Sequence, residues 1–212
     1  RLKLTTTLAA SENIYEVPFG TVRRRPYGIR GTARGEWPAQ RFVAVECRDH
    51  GLALINTGVP GVETANGTIW TTVLRAPGAE YAGMIPDESS SQHGDHEYVF
   101  GIVPYGGTLS DSSVLNIAQE MNNPLLAVSP EHCGEHHSPL MELNPSGLVL
   151  SSVKESETED DRVFVRIYEA FGKETTGTLR ILGLKKAWRS DVKEEIYEEL
   201  PVETDGEYGI LK

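Results

Sequence analysis

Cysteine is scarce in this sequence. Only Cys47 and Cys133 occur among 212 residues, far apart and outside any CxxC motif. Their number and spacing exclude a disulfide-dense secreted scaffold and a CxxC redox site. We interpret them as reduced, small, buried side chains and expect a cytoplasmic protein.

Long hydrophobic runs, long helical patterns and an excess of basic charge are also missing. No apolar run approaches the roughly 20 residues that a membrane-spanning helix needs. The 21 glycines and 12 prolines interrupt any pattern that a coiled coil or helical bundle would require. The net charge of −11 argues against nucleic-acid binding, because contacts to phosphate need basic side chains. The 39% of hydrophobic residues still suffice for a packed core.

Alternation of side chains predicts β-strands over much of the chain. In Arg41–Cys47 it places Arg41, Val43, Val45 and Cys47 on one face, and the intervening residues on the other. The continuous apolar run Gly51–Asn56 predicts a strand buried on both faces. Further strands are predicted at 2–8, 97–103, 148–153, 163–168 and 177–182.

The clearest local signal is a β-hairpin at 62–74. Asn66-Gly67 separates two strand-like runs, and this dipeptide accepts the positive φ angles of a type I′ turn. Asn66 also begins an Asn-x-Thr glycosylation sequon. We favour the hairpin interpretation, because nothing in the sequence indicates secretion.

Helical spacing occurs in one short stretch, at 111–121. We predict a helix there, with Ser110 or Asp111 as its N-cap and Asn122-Asn123-Pro124 ending it. The acidic segment 191–199 fits either a helical turn or an exposed strand. About ten strands and one helix indicate stacked antiparallel sheets.

A long loop at 23–40 carries five arginines on an otherwise acidic chain, and loops of that length are often functional. A change of composition at 143–147 predicts a domain boundary that separates 1–145 from 146–212. The start at Arg1, without methionine or signal peptide, and the apolar end at Ile210-Leu211 suggest a piece of a longer protein.

Two histidine clusters are the best metal-ligand candidates, since histidine, thiolate and carboxylate suit zinc. One is His93-Gly94-Asp95-His96, and the other runs from His132 to His137 and includes Cys133 and Glu135. Their spacing matches no standard zinc site, so local hydrogen bonding by His96 and a solvated second cluster remain the simpler interpretation.

Neither acidic pairs nor aromatic residues define a catalytic centre. A glycosidase needs two carboxyls about 5 to 9.5 Å apart, which sequence alone cannot place, and GxSxG, P-loop and HExxH motifs are absent. The acidic run 155–161 is more simply a solvated turn.

The aromatic residues fit either a sugar-stacking surface or ordinary core and interface positions. They are Trp37, Trp70, Trp188, Tyr27, Tyr81, Tyr105 and Tyr168.

Several stretches, in collinear order over nearly the whole chain, resemble the C-terminal β region of glycoside hydrolase family 38, the α-mannosidases. They are Tyr15–Thr21 with Trp37–Val43, Gly51–Gly58, Gly94–Tyr98 with Val103–Gly107, and Val149–Glu157 with Val165–Glu169. One of them combines an acidic-His-x-aromatic strand at Asp95 with a Pro-aromatic-Gly turn after it, and the order and spacing of all these stretches are what is specific.

The resemblance implies an all-β fold, in which an antiparallel β-supersandwich of the galactose-mutarotase-like kind (1–145) precedes a smaller β-sandwich (146–212). It implies a parent enzyme that hydrolyses α-mannosides with a zinc ion and an Asp nucleophile in a separate N-terminal domain. No nucleophile and no zinc ligand are therefore assigned here. The candidates for contact with the sugar are Arg30, Arg34, Asp95 and His96.

We expect the chain to be the non-catalytic β region of an α-mannosidase-like glycoside hydrolase, with the catalytic domain as partner and α-mannoside as carbohydrate. We expect no cofactor in this chain and no activity from it alone. One alternative is a free-standing carbohydrate-binding β-sandwich. Another is a zinc-dependent enzyme built on the two histidine clusters.

Overall fold

A computed structural model of the protein describes residues 1–8, 12–24, 35–76, 91–127, 139–157 and 162–212. The chain divides into two compact units, Arg1–Pro124 and Leu125–Lys212. The sequence-based boundary between 145 and 146 stays a prediction. No helix within the described residues is long and apolar enough to cross a membrane.

The described residues of the first unit form two antiparallel sheets. Its strands are β1 Leu2–Thr5, β2 Glu12–Val17, β3 Gly20–Arg24, β4 Trp37–Pro38, β5 Phe42–Glu46, β6 His50–Asn56, β7 Gly61–Ala65, β8 Thr68–Thr71 and β9 Phe100–Gly106. The four-stranded sheet has the order β1-β8-β7-β4, and the five-stranded sheet has the order β3-β2-β5-β6-β9. Every pairing in both sheets is antiparallel.

The core of this unit lies between the two sheets. Tyr15, Val43 and Leu54 of the five-stranded sheet cluster with Val62 and Ile69 of the four-stranded sheet. The Tyr15 hydroxyl lies 2.8 Å from Oγ1 of Thr64, on the opposite sheet. Apolar burial and one buried polar contact thus hold the sheets face to face.

The other face of the five-stranded sheet is covered by a short 3-10 helix at Leu109–Asp111 and by α1, Val114–Asn122. The Asn122 side chain donates a hydrogen bond to the carbonyl of Asn56 (3.0 Å). A methyl group at Gly101 would come 2.7 Å from the Met121 sulfur, so a larger residue there would have to displace the end of the Met121 side chain between helix and sheet. Strand β5 is therefore buried on both faces.

The predicted hairpin is confirmed. Strands β7 and β8 pair from Ala65↔Thr68 outward, and the two turn residues have positive φ, 47° at Asn66 and 71° at Gly67. Strand β8 ends at Thr71 rather than Leu74, and β1 ends at Thr5 rather than at residue 8.

Two further boundaries were predicted wrongly. Strand β9 begins at Phe100 instead of Glu97, because its partner β6 ends opposite Phe100 at Asn56. Helix α1 begins at Val114, with Ser113 rather than Ser110 or Asp111 in the N-cap position. The predicted cap residues belong to the preceding 3-10 turn, where Asp111 accepts a hydrogen bond from the Thr108 hydroxyl (2.6 Å).

The second unit consists of strands only, within the part that the structure describes. They are β10 Met141–Asn144, β11 Leu148–Glu155, β12 Val163–Glu169, β13 Thr178–Leu182, β14 Ala187–Ser190, β15 Ile196–Leu200, β16 Glu203–Asp205 and β17 Tyr208–Leu211. A four-stranded sheet (β10-β13-β17-β16) accompanies two antiparallel ribbons, β11-β12 and β14-β15.

The ambiguous acidic segment of this unit forms a turn followed by an exposed strand, β15. Asp191 organises the turn by accepting backbone hydrogen bonds from Lys193 (2.8 Å) and Glu195 (3.0 Å). The antiparallel all-β class with a single α-helix is thus confirmed for the described residues.

Candidate functional site

Asp95 and His96, two of the predicted sugar contacts, lie in the exposed segment that leads into β9. The His96 Nε2 donates to the carbonyl of Gln92 (3.0 Å), and its ring stacks on Tyr98 with centroids 6.3 Å apart. The structure therefore gives His96 local partners and leaves both side chains accessible. A role in contacting sugar stays a prediction.

Arg30 and Arg34, the other two predicted contacts, lie outside the described residues. The segment that contains them follows Arg24, the last residue of β3. Across the sheet, Arg24 is paired with Asn13, Asn13 with Val45, and Val45 with Leu52, so Arg24 and Leu52 of β6 lie in one row. The segment that contains Asp95 enters the sheet at the Asn56 row, four residues further along β6. At about 3.3 Å per residue, these rows are about 13 Å apart.

The predicted metal-ligand clusters are not brought together by the described residues. His93, Asp95 and His96 are all exposed, and no group of three or more His, Cys, Asp or Glu side chains in the described part could hold a metal ion. The cluster from His132 to His137 falls outside that part. The described residues therefore do not fit a zinc site.

Among the described residues, an extended polar site is built around Glu46 on the helix-facing side of the five-stranded sheet. Glu46 is 7% exposed. Its carboxylate accepts hydrogen bonds from the backbone N–H of Leu109 (2.5 Å), the hydroxyl of Tyr105 (3.2 Å) and the guanidinium of Arg23 (3.3 Å). One side chain thus connects β3, β5, β9 and the 3-10 helix.

This arrangement alters the ionisation of the tyrosine. Burial first, and then the nearby negative charge of Glu46, raise the pKa of Tyr105 well above its ordinary value of 10.0. Tyr105 is therefore a neutral hydrogen-bond donor at physiological pH.

A second buried carboxylate, Glu16 of β2, is 1% exposed. It accepts hydrogen bonds from the backbone N–H of Arg41 (2.9 Å) and from the Arg41 Nε (2.9 Å), in a fork-like charge-assisted contact. The backbone N–H of Gln40 also donates to the Glu16 carbonyl (2.9 Å). Glu16 therefore fixes the connection that carries the chain from β4 to β5.

Neither buried carboxylate has the features of a catalytic acid or base. Each carboxylate is occupied as an acceptor by an arginine and by fixed N–H or O–H donors. The acidic residues noted in the sequence serve other purposes: Glu169 accepts the backbone N–H groups of Phe171 (3.0 Å) and Lys173 (2.8 Å), and Lys154 pairs with Glu157 (3.1 Å). Asp160 and Asp161 lie outside the described residues.

Sequence reasoning missed both anchoring carboxylates. The only signal was a glutamate on a strand that is otherwise apolar, at position 46 within Phe42–Glu46. Arg41, predicted as a strand residue, lies just before β5 and pairs with Glu16 instead.

Three tryptophans have basic neighbours. Trp37 stacks on the guanidinium of Arg24 (4.4 Å to the ring centroid), Trp188 on that of Arg162 (5.3 Å), and the Trp70 ring lies 6.0 Å from the Lys3 ammonium. Tyr27 and Tyr81 fall outside the described residues. These contacts are cation–π interactions typical of half-exposed aromatic residues.

Two family models match the chain in order. The C-terminal domain of glycosyl hydrolases family 38 matches residues 1–88, and the C-terminal β-sandwich domain of the same family matches residues 147–210. The chain belongs to glycoside hydrolase family 38. It corresponds to the C-terminal region of proteins of that family, as the sequence resemblance predicted.

Curated relatives agree with this assignment. Human α-mannosidase 2C1 is 28% identical over 177 residues, which cover 81% of this chain and 16% of the relative. Dictyostelium discoideum α-mannosidase G is 28% identical over 171 residues, covering 76% and 15%. The family 38 chain thus spans about a sixth of the length of these relatives.

Solved structures support the fold. An α-mannosidase from Enterococcus faecalis V583 superposes with a TM-score of 0.81 at 17% identity, over 99% of this chain and 25% of that one. A second family 38 protein from Enterococcus faecalis gives 0.77 at 16% identity, with 99% and 26% covered.

Proposed function

We propose that this family 38 chain is the non-catalytic β region of an α-mannosidase-like glycoside hydrolase, whose parent protein cleaves α-mannosidic bonds. The observation that carries the proposal is the ordered match of two C-terminal family models. The α-mannosidase names of relatives that extend far beyond the matched segment support it.

The proposal assigns the chemistry, including the zinc ion, to a catalytic domain elsewhere in the parent. The roles of Glu16 and Glu46 as structural anchors are consistent with this division. Docking onto such a domain would bury the exposed apolar side chains of Ile102 on β9 and of Val99 just before it, and burial of apolar surface favours association.

An association experiment tests this proposal. The remainder of the parent protein and this chain are produced separately, mixed, and analysed by sedimentation velocity. We expect one complex at the summed mass, and weaker association for Ile102→Asp. The matched control is Val192→Asp, which alters an exposed valine in the second unit. Two components that sediment independently at all concentrations would contradict the proposal.

Within this complex, we further propose that Arg30, Arg34, Asp95 and His96 contact the sugar. Removing one sugar contact by Asp95→Asn or His96→Asn would raise KM for an aryl α-mannoside about tenfold or less, while kcat stays nearly unchanged. His50→Asn is the control, since His50 is also exposed and pairs with Asp49 (2.6 Å). An unchanged KM in both variants would remove these two residues from the site.

One observation favours a second candidate, a carbohydrate-binding module. Tyr197 is 66% exposed and Trp188 is partly exposed on the β14-β15 ribbon, and exposed aromatic rings can stack on sugars. Calorimetric titration with mannose and mannobiose separates the two candidates. Sugar binding that is lost in Trp188→Ala would support the carbohydrate-binding module. A titration that shows no heat of sugar binding would support the non-catalytic β region.

A further inference from the structure

Two buried hydrogen-bond donors in the first unit have no acceptor. Asn13 is 3% exposed, and its side-chain Nδ2 has no hydrogen-bond partner among the described residues; the Nε of Arg24 is likewise buried without one. A buried donor without an acceptor is costly, so it calls for a missing group.

The two donors are neighbours. Asn13 and Arg24 are directly opposite each other on β2 and β3, and side chains so paired project from the same face, with Cβ atoms about 5 Å apart. Tyr15, two residues along β2, lies on this face too. The Arg24 guanidinium lies 5.2 Å from the Tyr15 ring centroid and 4.4 Å from that of Trp37. Both donors therefore belong to one aromatic-walled site.

The charge around this site calls for an anion. Arg24 is stacked on rings, and no ion pair joins it to a carboxylate of the described residues. The chain continues from Arg24 into residues 25–34, which contain three arginines and no acidic residue, and β2 is preceded by Ala9-Ala10-Ser11. The carboxylates near the site, Glu36 beside Trp37 and Glu63, whose charge acts on Tyr15, are both paired with Arg1 (2.8 Å each). The positive charge of Arg24 is therefore not neutralised by an ion pair within the described residues.

We propose that Asn13, Arg24 and Trp37 form a binding site for a carboxylate group. The rings hold the guanidinium plane in place, the Nε of Arg24 donates to one carboxylate oxygen, and the Nδ2 of Asn13 donates to the same group. Planar guanidinium and carboxylate groups are matched in this way. The carboxylate is either that of a small free acid or an aspartate or glutamate side chain of a partner polypeptide.

The test is a titration of the whole 212-residue chain, followed by ¹⁵N–¹H NMR of the arginine side chains. Sodium acetate is the probe for a free acid. The blocked amino acid N-acetyl-aspartate N-methylamide is the probe for a protein side chain, and its asparagine analogue and sodium chloride at equal ionic strength are the controls. We expect a saturable shift of the Arg24 Nε–H signal with acetate and none with either control. A response to the blocked aspartate as well assigns the site to a protein carboxylate, and a response to acetate alone assigns it to a small acid.

Variants make the test specific. Arg24→Lys keeps the charge but removes the Nε donor, and should weaken acetate binding about tenfold, the loss of one charge-assisted hydrogen bond; in this variant the shift is followed at the Asn13 side-chain amide. Asn13→Asp supplies its own carboxylate to Arg24, and should abolish the acetate response while the fold is kept. Arg162→Lys is the matched control, because Arg162 also stacks on a tryptophan.

Two results would overturn the proposal. One is an Arg24 signal that neither probe moves beyond the chloride control. The other is an acetate response that persists at full strength in Asn13→Asp, which would place the bound anion elsewhere. If the association experiment above fails while acetate binds here, the site stands and the proposed parent architecture falls.

Discussion

Replacing Glu46 should destabilise the first unit, and the size of the loss should depend on how many of its hydrogen bonds the new side chain keeps. Glu46→Ala leaves the buried N–H of Leu109 and the hydroxyl of Tyr105 without their acceptor, at about 1–3 kcal/mol each. Arg23 adds little, because its side chain is 52% exposed and water can solvate it. The free energy of unfolding should therefore fall by about 2–6 kcal/mol.

Glu46→Gln separates shape from charge. It keeps one acceptor oxygen toward Leu109 and Tyr105 but turns charge-assisted bonds into neutral ones, which are roughly half as strong. We expect a loss of about 1–2 kcal/mol. Glu198→Ala is the control, since its ion pair with Arg189 (3.0 Å) is exposed and should contribute less than about 1 kcal/mol.

The assay is urea-dependent hydrogen exchange of the β5 amides, which reports unfolding of the first unit separately from the second. The reasoning predicts that Ala is worst, Gln intermediate and the control nearly neutral. A loss below about 1 kcal/mol for Glu46→Ala would refute it, because two buried donors without an acceptor should cost more.

Three other predictions concern individual positions. Tyr105→Phe should destabilise the first unit by about 1–2 kcal/mol at neutral pH by removing one bond to a charged acceptor. Because the pKa of Tyr105 is raised in the folded chain, the wild type should lose up to about 1.4 kcal/mol per pH unit more than the variant above pH 10. In urea unfolding repeated from pH 8 to 11, the gap between the two proteins should therefore shrink, and a gap that widens would contradict the cause assigned. Gly67→Ala should cost more than Gly58→Ala in the same urea assay. Both glycines have positive φ, but only at Gly67 would the new methyl group meet backbone, 2.3 Å from the Leu8 carbonyl oxygen, and equal losses would argue against this contact. Tyr15→Phe should cost about 1–2 kcal/mol by leaving buried Thr64 without its partner, and a neutral effect would assign that contact no net stabilisation.

Local signals in the sequence predicted those parts of the fold that depend on neighbouring residues. The Asn66-Gly67 turn needs only two adjacent residues that tolerate positive φ, and the strand from Gly51 to Asn56 was identifiable from its unbroken apolar run. The spacing of Val114, Leu115 and Ala118 likewise indicated α1, whose buried residues are these three.

The remaining features depend on residues far apart in sequence. The partners of Glu46 include Tyr105 and Leu109, which are 59 and 63 residues away, so no local pattern identifies the network. The alternating pattern continues through Glu97, yet β9 starts at Phe100. Its partner strand ends at Asn56, whose side chain turns the chain by accepting the backbone N–H groups of Gly58 (3.1 Å) and Val59 (2.8 Å).

The candidate sugar contacts show the same limit. Asp95 and His96 were chosen from a resemblance, and the structure adds that they are exposed at the Asn56 end of the five-stranded sheet. Pairing within that sheet determines where they enter it. Contact with a sugar would depend on a surface supplied by another part of the parent protein.

Hydrolysis of an aryl α-mannoside tests the central proposal most directly. The purified chain is assayed alone and after addition of the separately produced remainder of the parent protein, each with and without a chelator. We predict no turnover by the chain alone, and chelator-sensitive turnover that the chain increases when it is added to the remainder. Turnover by the isolated chain that a chelator abolishes would contradict the proposal, because the catalytic groups would then belong to these 212 residues.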